Sequence, residues 1–390
     1  MRVFLSACGE GLGHSSRTLA LYNELKGRGH DVVAASYGMA LKRLRAAGAR
    51  TIQTRPEVLM TGADGRFDLV GSIIRSRGTP LDVAKAFLAE RAFIRSFDAD
   101  VVVSDARFAT VLAAFAQHVP VFYITNQTHF ILTGAEERQK GRTLLARVFS
   151  AQELERSVLE SIIEVPLSLP YPFAQEIVIP DFLPPDTICA PLLSNDPRVR
   201  GKTRFVGPLS VLASRPPPVH RPSKTPRVLV TLGGQAFRAG EFDRLLGVLR
   251  RMTDFNFTVV SIFAKKRARA GNVRVRPFVR DIFPLMSAAD LLVMPAGHSA
   301  IMESILLCKP ALLLPDAQWP EQESNAVVYE RLGLGLRSSP LELHLLPAKL
   351  RELRERREEF VPRLRRLSLE ARGAQNGARN AAELCESAAT

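Results

Sequence analysis

RVFLSACGEGLGHSSRTLALYNELKGRGHDVVAAS, residues 2–36, decides the fold of this chain. RVFLSA is an apolar run of strand length, and after a glycine-rich turn Leu19, Tyr22 and Leu25 recur at helical spacing. Gly29 closes that helix and HDVVAAS opens a second strand. Strands joined through a helix pair in parallel, with helices on both faces of the sheet. The turn SACGEGLGHSSR (6–17) departs from the dinucleotide-binding fingerprint, which needs glycines at relative positions 1, 3 and 6. Gly9 and Gly11 fit, but the sixth place is His14, with Gly13 one early. The second strand also ends in Ser36 and Tyr37, where a carboxylate for ribose would stand.

Outward from this unit the alternation continues. LKRLRAAG predicts a helix and ARTIQT a third strand, followed by helix 81–97, strand 101–104, helix 107–117 and strand 119–125. Residues 56–80 read as a long loop of the kind that carries function. PLSVLASRPPPVHRPSKTP (208–226) is too rich in proline for a helix or central strand and marks a linker. Beyond it the pattern restarts with RVLVTL, a GG turn, a helix from residue 240 and the strands NFTVVSIF, NVRVR, DLLVM and ALLLP. The expected organisation is two tandem doubly wound, Rossmann-like α/β domains, 1–207 and 227–365, joined by 208–226. The charged tail reads as helical, and its last small residues suit packing back against another element.

Composition bounds the function. At 390 residues the chain exceeds one ordinary core, and 46% hydrophobic content describes a globular protein. MRVFLSACGEG has one basic residue ahead of its apolar run, so no secretory leader is expected, and no apolar run suits a membrane span. Cys8, Cys189, Cys308 and Cys385 form no C-x-x-C pair, which points to a reducing, cytoplasmic setting without zinc knuckles or disulfides. Fifty-three basic against 39 acidic residues give a net charge of +14, which favours anionic partners. Aromatics are 7% and no basic run is interleaved with them, so no nucleic-acid partner is expected.

The chemistry-bearing residues fall at strand exits, where ligands bind in doubly wound sheets. His14 starts a helix, whose positive dipole end favours the neutral imidazole a general base requires; capping the helix is the alternative role. Asp105 ends the strand VVVSD on the same sheet edge, either to orient His14 or to cap the next helix. Arg17 either meets an anionic acceptor or lies on the surface. Asp98-Ala-Asp100 precedes a strand and reads as a polar turn, leaving no metal site expected. In PAGHSAIMES, Gly297, His298 and Ser299 bring backbone N–H groups and a hydroxyl to a helix N-terminus, a phosphate site. Glu303, on the next turn, could accept both hydroxyls of a ribose. DAQWPEQESNA is dense in groups that suit a sugar. Gly233 and Gly234 could line a diphosphate, and Arg280 either faces a phosphate or caps a strand.

Together GEGLGH, VGP, LGGQ and the AGHSAIMES…KPALLLP…EQESNA block resemble the two-domain GT-B glycosyltransferases, nearest the MurG-like and UDP-glycosyltransferase groups. The resemblance spans almost the whole chain. It implies two lobes facing a cleft, with uracil at Phe278 and Val279, the diphosphate at His298 and Ser299, and the ribose at Glu303. It places the sugar near Glu321, Gln322 and Asn325. The acceptor would enter past Gly11, Gly13, Arg17 and Asn126, with His14 as base and Asp105 as its partner. A final helix, expected over 366–390, would return to the first domain. Glu321-Gln322 stands where many relatives have Asp-Gln, and SSR follows GEGLGH in place of the proline-bearing MurG version. The expected activity is inverting, metal-independent transfer from a UDP-sugar co-substrate, without other cofactor, to an acceptor hydroxyl or phosphate. Arg75, Arg77 and the basic-apolar stretch with Arg138, Lys140, Arg142, Arg147, Leu144, Leu145, Val148 and Phe149 suggest a lipid-linked acceptor and peripheral contact with the anionic inner membrane face. The rival readings are a UDP-sugar 2-epimerase of the same fold and a non-catalytic nucleotide-sugar or lipid binder.

Overall fold

The computed structural model describes residues 1–57, 62–63, 66–67, 79–129, 168–216, 223–233, 239–277, 279, 281–316, 319–339 and 341–388. The first domain contains β1 (Arg2–Ala7), α1 (Gly13–Gly27), β2 (Asp31–Ser36), α2 (Gly38–Ala46) and β3 (Thr51–Gln53). A two-strand pair, β4 (Gly62–Ala63) with β5 (Arg66–Phe67), precedes α3 (Thr79–Phe97), β6 (Val101–Asp105), α4 (Phe108–Phe115) and β7 (Val121–Ile124). Then come β8 (Glu176–Ile179), α5 (Pro197–Lys202) and β9 (Thr203–Phe205). The sheet order is β3-β2-β1-β6-β7-β8-β9, all parallel.

Alternation along β1 sorts its residues between two cores, as a pleated strand must. Val3 and Leu5 join Leu21 and Leu25 of α1, while Phe4 faces Ile94 of α3 and Val111 of α4. A strand buried on both faces reads as a continuous apolar run, which is why RVFLSA shows no polar alternation.

The second domain repeats the plan with β10 (Arg227–Thr231), α6 (Ala239–Arg250), β11 (Asn256–Val260), β12 (Ala268–Ala270) and β13 (Val273–Arg276). It continues through α7 (Phe283–Ala288), β14 (Leu291–Met294), α8 (His298–Leu306), β15 (Ala311–Leu313), α9 (Pro320–Arg331) and β16 (Gly335–Arg337). The order is β12-β13-β11-β10-β14-β15-β16, parallel apart from the antiparallel edge pair β12–β13. In each sheet the order reverses beside the first strand, between β1 and β6 and between β10 and β14. Those two switch points face one cleft.

Among the described residues the last helices are α10 (Leu346–Glu355), α11 (Arg357–Arg372) and α12 (Gly377–Ala388). The return to the first domain comes later than the expected residue 366. Leu364, Leu367 and Ala371 of α11 still belong to the second core, whereas Ala378, Ala381, Ala382 and Cys385 of α12 pack in the first. The outward crossing falls in the first residues of the expected linker: Val206 and Leu209 lie in the first core, Leu212 and Ala213 in the second. Even Phe182 and Ile188 are buried in the second core, so the first domain lends it a segment. The two crossings touch. Gly207 has φ +92°, and a Cβ there would strike the Gln375 carbonyl, while one on Gly377 would strike that of Gly207. Among the described residues no helix is long and apolar enough to cross a membrane.

Candidate active site

The loop after β1 is shaped by its glycines. A Cβ on Gly9 would overlap the Tyr37 ring, and Gly11 has φ +77°, which disfavours other residues. The loop delivers His14 to the first turn of α1. There its Nδ1 lies 2.8 Å from Oδ1 of Asp105, across 91 residues of sequence. The switch point explains the meeting: β1 and β6 are neighbours, and Cys8 N donates to Asp105 O at 3.0 Å, which aligns the two strand exits.

Arg17 does not lie on the surface, one of the two roles expected of it. Its guanidinium forks onto Asp105 at 3.0 and 2.7 Å and is 4% exposed. Burial pushes the Asp105 carboxyl up, but the charges of Arg17 and then His14 outweigh it and hold the carboxyl at about 2. Glu10, in the same loop, is raised above the usual carboxylate range by burial, against the pull of His14.

Both domains line a cavity of about 320 Å³. His14, Gly11, Gly13, Arg17 and Asn126 face it from the first domain. Gly233, Val279, Gly297, His298, Ser299 and Glu303 face it from the second, with Glu321 and Gln322. Leu232, Val260, Ile262, Ile282 and Met286 also line it, apolar side chains that suit the flat face of a nucleobase. Gly233 takes φ +71° where a Cβ would stand 3.2 Å from Pro295. Gly234, Phe278 and Arg280 lie outside the described residues, as do Arg75, Arg77 and the basic-apolar stretch 138–149.

The α8 N-terminus approaches the first domain closely. Ser299 Oγ donates to Gly13 O at 3.4 Å, and a Cβ on Gly13 would sit 3.0 Å from that hydroxyl. Ser16 Oγ donates to Glu303 Oε1 at 3.2 Å. Burial raises the Glu303 carboxyl above its ordinary range, with the Arg43 charge and the Ser16 hydroxyl opposing. Asn126 Nδ2 donates to Glu321 Oε1 at 2.8 Å, a third polar tie across the cleft.

The amide-rich segment, expected to be a loop, is mostly the start of α9, and two of its amides also hold the protein itself. Gln322 donates to Asp316 Oδ2 at 2.6 Å and accepts from Asp316 N at 2.9 Å, so both ends of its amide hold the loop. Asn325 is fully buried and donates to Ala296 O at 3.1 Å. Glu321 is the member of the trio that keeps a carboxylate at the cleft.

Sequence reasoning missed Asp181. It follows the short strand EIVI and accepts from Phe182 N at 2.7 Å and Cys189 N at 2.8 Å, while His298 Nε2 lies 3.0 Å from its Oδ2. The signal was a carboxylate at a strand exit, the same that marked Asp105. Asp181, Cys189 and His298 offer ligand atoms within 4.8 Å of one another, a spacing a metal ion could use. Both carboxylate oxygens of Asp181 are already taken by N–H donors, so the trio fits a hydrogen-bonded junction between the domains better than an ion site. His298 Nδ1 is buried with no partner among the described residues.

Comparison with known proteins agrees with this geometry. Residues 1–151 match the family described as Glycosyl transferase family 1, and residues 249–384 the Glycosyltransferase family 28 C-terminal domain. An uncharacterised glycosyltransferase of Methanosarcina acetivorans is 32% identical over 382 residues, covering 96% of each chain. The UDP-N-acetylglucosamine–N-acetylmuramyl-(pentapeptide) pyrophosphoryl-undecaprenol N-acetylglucosamine transferase of Clostridium botulinum is 28% identical over 152 residues, 35% of this chain and 42% of that one. Among solved structures, the glycosyltransferase SsfS6 of Streptomyces sp. SF2575, complexed with thymidine diphosphate, superposes with TM-score 0.64 at 17% identity, over 99% of each chain. A near-full-length relative at this identity, two matched families and a shared architecture lead to one statement: the chain belongs to the glycosyltransferases of the GT-B fold.

Proposed function

We propose that this glycosyltransferase moves a sugar, with inversion, from a UDP-sugar to an acceptor hydroxyl, His14 acting as the base. The observation that carries the reading is the His14–Asp105 pair facing the α8 N-terminus across one cavity. His14 Nε2 takes the acceptor proton while Nδ1 donates to Asp105, which stabilises the imidazolium as oxygen attacks the anomeric carbon. Attack from the side opposite the leaving group inverts that carbon. The departing diphosphate gathers charge at the N–H groups of α8, and removing one such donor typically costs about 3 kcal/mol of transition-state stabilisation. Glu303 accepts the ribose hydroxyls and Glu321 those of the sugar. The charge of +14 and the polyprenyl-linked substrate named for the Clostridium relative support a lipid-phosphate acceptor at an anionic membrane face.

Trp319, the chain's single tryptophan, lines the cavity and reports binding directly. A fluorescence titration with UDP, thymidine diphosphate, GDP and ADP tests the donor class. UDP binding tighter than the others supports the reading; preference for thymidine diphosphate replaces the nucleotide, and indifference to all four refutes it. Conversion of UDP-N-acetylglucosamine alone, without acceptor, would instead identify an epimerase.

A further inference from the structure

A His–Asp dyad does not by itself need an arginine, yet one is built beneath this one. Arg17 is 4% exposed, with Nε 3.0 Å from Asp105 Oδ2 and a terminal nitrogen 2.7 Å from Oδ1. That terminal nitrogen also lies 2.9 Å from His14 Nδ1, itself 2.8 Å from Asp105 Oδ1. Arginine can only donate and an ionised carboxylate can only accept. One imidazole nitrogen therefore faces a donor and an acceptor at once, and its own proton decides which contact is a hydrogen bond. With the proton on Nδ1, His14 donates to Asp105 and Nε2 presents a lone pair. With the proton on Nε2, Nδ1 accepts from Arg17, meets the carboxylate lone pair to lone pair, and no base remains.

Charge decides whether the first state survives. Ionised Asp105, Arg17 and neutral His14 sum to zero. Without the Arg17 charge a carboxylate 2% exposed is left uncompensated, and such a group draws a proton. Wherever that proton settles, the base is lost. On His14 it makes imidazolium. On Asp105 it makes a carboxylic acid whose O–H donates to Nδ1, leaving the ring proton on Nε2. The neighbouring charges deepen the need for a cation: Glu10 from the loop faces His14, and Glu321 from α9 faces Arg17. Arg43 from α2 also lines the cavity, but it donates to Leu12 O at 3.2 Å and its charge acts on Glu303.

We propose that Arg17 is a positioning residue that keeps an extra proton out of the dyad, fixing His14 as the Nδ1–H tautomer with Nε2 open to the acceptor. The inference rests on the reading of His14 as the base. Its test is nitrogen-15 NMR of the imidazoles in the full chain, with His14→Ala assigning the signal among seven histidines. At pH 7 the wild type should show a proton on Nδ1 and a bare Nε2. Arg17→Gln should show Nε2 protonated, and its acid limb of turnover should move up by roughly one to three pH units with donor KM unchanged. Arg17→Lys keeps the charge, and with it the bare Nε2. A folded Arg17→Gln protein with a bare Nε2 and an unmoved acid limb overturns the proposal. So does a protonated Nε2 in Arg17→Lys, which can be read even where the Gln variant fails to fold. Retained turnover in His14→Ala sinks the base assignment itself, whatever the tautomers do, and so separates the two failures.

Discussion

Replacing Glu303 by Gln should move stability and affinity in opposite directions. Burial raises the Glu303 carboxyl in the fold above its unfolded value. The stability such a group contributes is fully present below the ordinary glutamate range and is lost as pH rises through the folded value. Above the folded value the ionised Glu303 is a burden that the neutral amide relieves, so in that range the melting temperature of Glu303→Gln should equal or exceed that of the wild type. Nucleotide affinity should fall. A carboxylate accepts from both ribose hydroxyls, whereas an amide offers one oxygen and turns an NH₂ toward the other. A hydrogen bond to a charged group is worth about 1.5–3 kcal/mol, and 1.4 kcal/mol is tenfold, so the Kd for UDP should rise roughly 10- to 150-fold. Trp319 fluorescence reads that Kd, and thermal melting reads stability in the same samples. Ser16→Ala is the control of opposite sign. Ser16 donates to Glu303 Oε1 at 3.2 Å and competes with the ribose for it. Its removal should tighten UDP binding by about 0.5–1.5 kcal/mol. A folded Glu303→Gln protein that binds UDP like the wild type would refute the ribose assignment.

Other tests reach different parts of the molecule. His14→Ala should lower turnover by about 10²- to 10⁴-fold with unchanged UDP binding at Trp319; a joint loss of both would show a structural role. Gly207→Ala puts a methyl into the Gln375 carbonyl at φ +92° and should cost about 1–3 kcal/mol or more in urea unfolding, an unaltered midpoint counting against the tight crossing. Asp105, held at about 2 against 3.8, contributes stability above the ordinary carboxylate value that is lost as pH falls from 3.8 toward 2. Asp105→Asn should flatten that window in acid unfolding curves. Turnover should survive a chelator, because the diphosphate charge is assigned to helix N–H groups; activity lost with EDTA and restored by Mg²⁺ would reassign it.

Periodicity made the fold legible because the central strands β1, β6, β7 and β14 are buried almost throughout, while helices such as α11 bury one apolar face through Phe360, Val361, Leu364 and Leu367. His14 and Asp105 could be found because sheet topology brings strand exits together. The fate of Arg17 could not, since it depends on a carboxylate 88 residues away. The same strand-exit rule would have found Asp181, but its strand EIVI is only four residues long and is followed by prolines. Composition alone did not show that Gln322 and Asn325 of α9 also hold the protein itself. Gln322 and Asn325 carry the groups that bind sugars, and the same groups bind their own backbone when a loop must be held. The final helix begins at Gly377 and not at the expected 366, because Leu367 and Ala371 still fill the second core and Gly373 ends α11.

The junctions between the domains differ in strength, and that ranks how the cleft can move. At the back, Asp181 and His298 are fully or nearly fully buried, and the crossings at Gly207 and Gly377 are in backbone contact. Parting Asp181 from His298 leaves a buried carboxylate short of a hydrogen bond, at about 1–3 kcal/mol and more for a charged group, and also disrupts the backbone contact of the crossings. At the front, Ser16–Glu303 and Asn126–Glu321 are part-buried hydrogen bonds, each worth about 0.5–1.5 kcal/mol, or up to 3 where the carboxylate is charged. Any opening of the cleft therefore breaks the front ties first and pivots about the Asp181–His298 junction. The pivot lies at the start of α8, so the helix terminus assigned to the diphosphate moves least. His14 and Asn126 lie on the far side of the front ties, and closure over a donor would bring the proposed base back toward the anomeric carbon.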